Sequence, residues 1–540
     1  MTLFQSKLDT RSQDYAQNRH EMLALVAGLE ALEERARAGS EGNAARFAVR
    51  GQISPRERLA RLIDRGSRFV ELCNLAGYSE IPDDPEAQLP GGSQLAGIGF
   101  VSGTRCMIVV NDSGIAAGAL NLAGSRKILR CQQIALDNKL PFLHLVESAG
   151  ANLMQYRLDH FVEGGEMFAN LARLSAAGIP VITVLHGSST AGGAYMPGLS
   201  DQVIAVRGNA RAFLGGPPLV KAATGEIATD EELGGAALHA GITGLIEYLA
   251  EDDVSAIGVA REVVARLDWN RERPGGAGAA HAEPLYPADE LAGLVPVDFR
   301  RPYDMREVVA RLVDGSDFLE FKPGYGAATV CLQARVRGRA CGVIGNNGPI
   351  DNEGATKASH FIQMCCQAGT PILYLQNTTG YMVGTASERG GMIKHGAKMI
   401  QAVATASVPQ ITLMIGASFG AGNYGMCGRG MGPSFVFSWP NAQVGVMGPQ
   451  QAARTMSIVA EEAAARRGVT PDAEKLKAQE ARIEALFSMQ SSAFHNSGKL
   501  LDDGVIDPRD TRALLGELLA LVAEAAAREL RPVSFGVARH

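Results

Sequence analysis

No run of eighteen or more purely apolar residues interrupts this 540-residue chain, and its opening, MTLFQSKLDTRSQDYAQ, has no apolar stretch of the kind that directs secretion. A cytoplasmic chain with no membrane partner is the expectation. Charge of one sign is also scarce. The formal net value of −6 comes from 51 basic and 57 acidic residues, which leaves no basic field for nucleic acid. The eight cysteines, at 73, 106, 131, 331, 341, 365, 366 and 427, show neither a CxxC nor a Cys/His ligand spacing. No metal is expected, and their apolar surroundings suit buried thiols in a reducing compartment. A GxxxxGK[ST] nucleotide loop is missing, as is any obvious Ser/His/Asp or paired-carboxylate constellation.

What is present is a repeat. ARLIDRGSRFVEL (60–72) matches ARLVDGSDFLEF (310–321), and GTRCMIVVND (103–112) matches GRACGVIGNN (338–347). LPFLHLVESAGANL (140–153) matches TPILYLQNTTGYMV (370–383), and VIAVRGNARAFLGGPP (203–218) echoes VFSWPNAQVGVMGPQ (436–450). Between the last two pairs lie STAGGAYMP (189–197) and SFGAGNYGM (418–426), each after a proline-led apolar run. Five blocks in one order indicate two copies of one fold. The length, beyond the single-core range of about 250 to 300 residues, agrees. The copies are expected at 1–275 and 290–540, with the seam in the Pro/Gly/Ala-rich 271–290. Short β-branched runs alternate with helical text in both, which indicates an α/β fold of parallel or spiral strand layers. Helical segments near 12–37, 461–488 and from 510 fall outside the repeat and read as packing or assembly elements.

The glycine turns are the chemical candidates. A strand ending in Gly-Gly or Gly-Ala-Gly before a helix start leaves main-chain N–H groups open to a ligand, because no Cβ blocks its approach. The amides of Gly192 and Gly193, and of Ala421 and Gly422, are so placed, and such a pair can hold a carbonyl oxygen that becomes an oxyanion. Close helix–strand packing is the competing explanation for one turn. It weakens when the turn recurs at the same place in both copies.

The text resembles the carboxyltransferase β subunits of biotin-dependent acyl-CoA carboxylases over nearly its whole length. GSSTAGGAYMPGLSD, GPPLVKAATGE with EELGGAALH, GGMIKHGAKM, GASFGAGNYGMCGR and DDGVIDPRDTR carry the likeness, and several point to the methylcrotonyl-CoA and geranyl-CoA branch. The resemblance implies two tandem crotonase-like domains with ββα spiral architecture. It implies transfer of CO2 from carboxybiotin to an acyl-CoA, or to the γ carbon of an α,β-unsaturated one. Gly192 and Gly193 would then hold the acyl-CoA carbonyl, and Ala421 and Gly422 the biotin carbonyl. The ureido nitrogen can take the substrate proton, so no side-chain base is required.

Further residues follow from the same resemblance. Arg126, Lys127 and Lys221, with Arg50 and Arg56, are candidates for the CoA phosphates, against surface salt bridging as the alternative. Ser148, Ala149, Gly150 and Ala151 would line the CoA side, and Asn377, Thr378, Thr379 and Gly380, read as their counterparts, the biotin side. His395 reads as a packed or hydrogen-bonded residue. No biotinylation motif occurs, so biotin must arrive on a separate α subunit, which also handles ATP and bicarbonate. A β6 core in an α6β6 holoenzyme, with sites shared between protomers, is implied. Where methylcrotonyl enzymes carry an aromatic, lysine-rich stretch, this chain reads NDSGIAAGALNLAGSRK (111–127), and ESAGANLMQYRLDHFVEGG (147–165) is short. Fewer rings would open the acyl pocket, so geranyl-CoA is expected over 3-methylcrotonyl-CoA. A decarboxylase α subunit or a non-catalytic scaffold are the rival classes.

Overall fold

Proline opens a buried strand at the same point of each copy: Pro180 precedes Val181–Thr190, and Pro409 precedes Gln410–Phe419. Around these two strands the computed structural model, which describes residues 4–84, 86–150, 157–269, 280–468, 472–534 and 536, builds two mixed sheets. The first contains β1 (Val70–Glu71), β2 (Gln94–Val101), β3 (Thr104–Asn111), β4 (Phe142–Ser148), β5 (Val181–Thr190), β6 (Gln202–Val206), β7 (Arg211–Phe213) and β8 (Tyr248–Ala250). The second contains β9 (Phe318–Glu320), β10 (Thr329–Val336), β11 (Arg339–Asn346), β12 (Ile372–Thr378), β13 (Gln410–Phe419), β14 (Phe435–Ser438) and β15 (Gln443–Gly445). Each begins with antiparallel strands and continues in parallel, and in each the long central strand pairs with two successive partners. β5 runs beside β6 and then β7, and β13 beside β14 and then β15. These are the α/β layers and the spiral order expected of the repeat.

The repetition extends to single hydrogen bonds. Asp64 accepts from the amides of Ser102 and Gly103 at 2.8 and 2.7 Å, and Asp314 from those of Arg337 and Gly338 at 2.8 and 2.6 Å. Both carboxylates thus close the β-hairpin of their own sheet, and each is paired with an arginine, Arg261 or Arg512. Asn121 caps the helix Leu122–Asp137 by accepting from Gly124, and Asp351 caps Asn352–Ala368 by accepting from Gly354. Apolar cores form beneath each sheet, with Ile108, Leu143, Val184 and Ile204 in one and Ile344, Phe361, Ile372 and Tyr374 in the other.

The described chain forms two compact units, each assembled from three segments. One comprises Ala31–Tyr78, Glu86–Gly275 and Ala523–His540; the other comprises Met1–Glu30, Ser79–Pro85 and Gly276–Val522. Specific bonds account for the terminal assignments. Glu524 pairs with Arg105, Arg528 accepts from Lys139 at 2.5 Å, and Val533 donates to Ala176 at 2.8 Å. At the other end Ser6 and Lys7 both donate to Glu307, at 2.6 Å each. Of the expected seam, residues 271–279 lie outside the described residues.

The stretches outside the repeat are helical: Gln13–Glu41 near the start and Thr511–Ala527 near the end. The charged stretch expected as one segment belongs to two helices, Pro449–Arg466 and Ala473–Ser491; Gly468, at φ +69°, follows the first. Among the described residues no helix is long and apolar enough to cross a membrane. All eight thiols are free, and all but half-buried Cys366 are buried.

DDGVIDPRDTR proves to be a packing motif. Asp503 accepts from Val436 N at 2.9 Å and pairs with Arg429 at 2.8 Å, while Asp502 accepts from Ser438 Oγ at 2.6 Å. Trp439 Nε1 donates to Thr511 at 3.0 Å. Burial, reinforced by the neighbouring Asp503, pushes the Asp502 carboxyl up to about 6. An unfolded aspartate titrates near 4, so its contribution is complete below about pH 4 and is lost as pH rises through about 6. Asp502→Asn keeps an acceptor for Ser438 and is expected to flatten the stability–pH curve between those values, an increment of roughly 2 kcal/mol. Urea midpoints at pH 4.5 and 7 check it; an unchanged slope would contradict the assignment.

Candidate functional site

The first glycine turn is built by an irregularity in the sheet. β4 and β5 pair in register up to Val146 and Leu185, and next at Ser148 and Ser189. Glu147 alone therefore faces His186, Gly187 and Ser188, and the surplus on β5 lifts its end out of the ladder. The chain then enters a single 3₁₀ turn, Ala191–Ala194. Among the described residues the amides of Gly192 and Gly193 find no acceptor. Gly192 is exposed and Gly193 buried. Apolar side chains flank the open face: Phe168 would lie 3.6 Å from a Cβ at Gly192, and its ring meets that of half-exposed Tyr195 edge-on at 5.9 Å.

The second turn repeats this design. β12 and β13 pair up to Gln376 and Met414 and resume at Thr378 and Ser418, so Asn377 faces three residues. The short helix Ala421–Gly425 follows, and the amides of Ala421 and Gly422 likewise have no acceptor among the described residues. Here too the first residue is exposed and the second buried. Gly420 opens the turn at φ +55°, where its counterpart is Ala191 at φ +53°.

The lining loops match as well. Ser148 Oγ donates to Gly118 O at 2.8 Å and accepts from Gly150 N at 3.1 Å. Thr378 Oγ1 is 3.3 Å from Gly348 O and accepts from Gly380 N at 3.2 Å. This corrects the equivalence expected from sequence by one residue: Ser148 corresponds to Thr378 and Gly150 to Gly380, which leaves Glu147 opposite Asn377. Both hydroxyls tie down loops and face inward. Ala149 is exposed, and Ala149 N donates to Ala117 O at 3.1 Å, while Thr379 is its counterpart in the second loop. Ala151 lies outside the described residues.

The basic candidates separate. Lys127 is fully buried, and its ammonium donates to Gln94 O at 2.9 Å and Gly91 O at 3.4 Å. Sealed there, it cannot reach a phosphate; the sequence sets a structural lysine beside an exposed arginine. Arg126, one residue earlier on the same helix, is exposed without an ion pair among the described residues, as is Lys221 on Pro217–Thr224. Arg50 lies 3.8 Å from Glu147, and the charge of Arg56 acts on Asp112. His395 bonds Thr356 at 3.0 Å, as a packed residue would.

Beneath the first turn lies a charged cluster that no sequence motif announced. Arg58 Nη1 meets Glu147 at 2.7 Å and Arg58 Nη2 meets Asp253 at 3.0 Å, all three residues being at least 95% buried. His186 Nδ1 lies 2.8 Å from Asp253, and Gln52 Nε2 donates to His186 O at 2.9 Å. Burial, followed by the charge of Arg58, lowers the His186 pKa, so the ring is neutral and donates to Asp253. Burial alone would raise the Asp253 carboxyl, but the hydrogen bond from His186, the charge of Arg58 and the amide of Ile53 outweigh it. Removing one member of such a buried set typically costs about 3 to 5 kcal/mol. The only signal in the sequence was a glutamate inside an otherwise apolar strand, LPFLHLVES. Among the described residues no cluster of His, Cys, Asp and Glu could hold a metal ion.

Comparison with known proteins adds three findings. The family model described as the carboxyl transferase domain matches residues 48–534. Two Mycobacterium tuberculosis proteins are similar over most of their length. One, the "Probable biotin-dependent acyl-coenzyme A carboxylase beta2 subunit", is 50% identical over 88% of this chain and 89% of its own. The other, the "Biotin-dependent 3-methylcrotonyl-coenzyme A carboxylase beta1 subunit", is 44% identical over 93% of this chain and 94% of its own. The crystal structure of the P. aeruginosa geranyl-CoA carboxylase beta subunit superimposes with a TM-score of 0.93 at 52% identity, covering 100% of both chains.

The backbone of the first turn yields a direct test. A non-glycine residue at positive φ costs on the order of 1 kcal/mol, and the second turn uses glycine at the equivalent position. Ala191→Gly is expected to leave turnover intact and raise stability by up to about 1 kcal/mol, read as a slightly higher urea midpoint. A lower midpoint would show that the alanine methyl has a packing role.

Proposed function

This chain belongs to the carboxyl transferase family, as the β subunit of a biotin-dependent acyl-CoA carboxylase, and from that we propose that it carboxylates geranyl-CoA. The amides of Gly192 and Gly193 receive the thioester oxygen, and those of Ala421 and Gly422 the biotin oxygen. The observation that carries this reading is the pair of turns, each lifted from its sheet by the same irregularity and each presenting two main-chain donors without acceptors among the described residues.

Two reactants develop negative charge in such a transfer, the thioester when it loses a proton and the biotin ureido oxygen when CO2 leaves. Biotin, carried on a separate subunit, supplies the carboxyl group and a basic nitrogen. The chain's own work is electrostatic. Two fixed amides at each oxygen stabilise charge that exists only during reaction, and each well-aimed donor contributes roughly 3 kcal/mol. No side-chain base is needed. His186, the nearest imidazole in sequence to the first turn, is sealed within the protein and held neutral. Arg126 and Lys221, exposed and unpaired among the described residues, suit the CoA phosphates.

The substrate preference rests on the space beside the first turn. Residues 111–127 contain no aromatic ring, and the helix Leu158–Ala176, which brings Phe168 beside Gly192, carries glycine rather than a side chain at 164 and 165, one turn before it. A longer branched chain fits such an opening better than a methylcrotonyl group. A biotin-carboxylase α subunit is the partner, in an assembly with a hexameric β core.

Purified α and β subunits incubated with labelled bicarbonate and a panel of acyl-CoAs are expected to carboxylate geranyl-CoA fastest; faster turnover of 3-methylcrotonyl-CoA would refute the preference. A second measurement concerns the donors. A Cβ at Gly422 would lie 2.8 Å from Gly380 Cα, so Gly422→Ala must displace the turn. Turnover is expected to fall about 10²-fold with the oligomer intact by gel filtration. If activity and assembly vanish together, the turn serves packing.

A further inference from the structure

We propose that the buried Arg58–Glu147 pair, backed by Asp253 and His186, positions the turn Ala191–Ala194, so that a charged device tunes one of the two duplicated turns and not the other. This rests on the reading of Gly192 and Gly193 as donors to the thioester oxygen.

The comparison between the two copies carries the inference. At each irregularity one residue fills the gap opposite three, and a glycine on the long strand makes room for it. A Cβ on Gly187 would lie 2.6 Å from Glu147 Cγ, and one on Gly416 would lie 2.3 Å from Asn377 Oδ1. In the second copy the gap is closed locally, because Asn377 Oδ1 accepts from Ala417 N at 3.2 Å. In the first copy the filler is a carboxylate that lies against Gly187 yet takes its hydrogen bonds from side chains of other segments. It accepts from Arg58 at 2.7 Å and from Gln52 at 3.3 Å, and Gln52 returns to β5 through His186 O at 2.9 Å. Asp253 holds Arg58 from the other side and also receives Ile53 N, at 3.0 Å each. The matching positions of the second copy are uncharged: Val308 for Arg58, Asn377 for Glu147 and Ile415 for His186. A fold that closes this gap with one asparagine has no structural need for four buried polar groups. Their burden of desolvation falls only where an acyl thioester is bound. The stretch from Gly187 to Gly193 leads from the cluster to the two donors, and sub-ångström errors in their aim matter to rate.

The test uses the α–β holoenzyme with Glu147→Gln, and with the double substitution Arg58→Val and Glu147→Asn, which installs the residues of the second copy. Three quantities are read: kcat and KM for whichever acyl-CoA the unmodified enzyme turns over fastest, acyl-CoA-independent CO2 release from the carboxylated biotin carrier, and the thermal midpoint with gel-filtration volume. The expected result is a kcat lowered about tenfold or more, with KM within about twofold, and with CO2 release and assembly unchanged. Parallel loss of both reactions, no change in kcat, or failure of both variants to assemble would overturn the proposal. An unmodified enzyme inert toward every acyl-CoA, yet releasing CO2, would instead overturn the assignment of Gly192 and Gly193 beneath it.

Discussion

A mismatch of one residue against three, at the end of β4 and β5 and again at β12 and β13, is the constraint from which the site follows. Up to that point the central strand spends its amides on the neighbouring ladder. Beyond it the strand is displaced, changes partner to β7 or β15, and reaches the turn with two amides unspent. Buried main-chain N–H groups are almost always paired, so those of buried Gly193 and Gly422, without an acceptor among the described residues, stand out. The glycines permit this geometry, and the irregularity causes it.

Duplication explains both the sameness and the difference between the copies. The hairpin aspartates, helix caps, loop hydroxyls and glycine clearances recur because they serve the fold. The filler of the gap diverges, an ion-paired glutamate in one copy and a neutral asparagine in the other. One more asymmetry lies there: Ser418 Oγ bonds Gln376 and accepts from Asn423 at 2.7 Å, whereas Ser189 Oγ is buried without a partner among the described residues. The two copies retain the backbone solution and vary its support.

The architecture was legible because periodic apolar text and proline-led strands are local signals, and the ordered repeat made two sheets the natural outcome. The turn glycines were legible for the same reason. What the text concealed is three-dimensional. Glu147 and Asn377 look unrelated, and pairing SAGA (148–151) with NTTG (377–380) shifts them by one; strand register shows that they fill the same gap. Arg58, Glu147, His186 and Asp253 come from four separate stretches and have no spacing to read. Lys127 looked like its neighbour Arg126, yet one step around a helix separates a sealed ammonium from an exposed guanidinium.

The assembly of each unit from three chain segments bears on biosynthesis. Ser6 and Lys7 must wait for Glu307, roughly three hundred residues later, and Arg105 and Lys139 gain Glu524 and Arg528 only after roughly four hundred more residues have been made. Neither unit can be finished before the segment around Val522 has left the ribosome. During translation the nascent chain therefore carries two incomplete cores at once, a situation that favours chaperone attention.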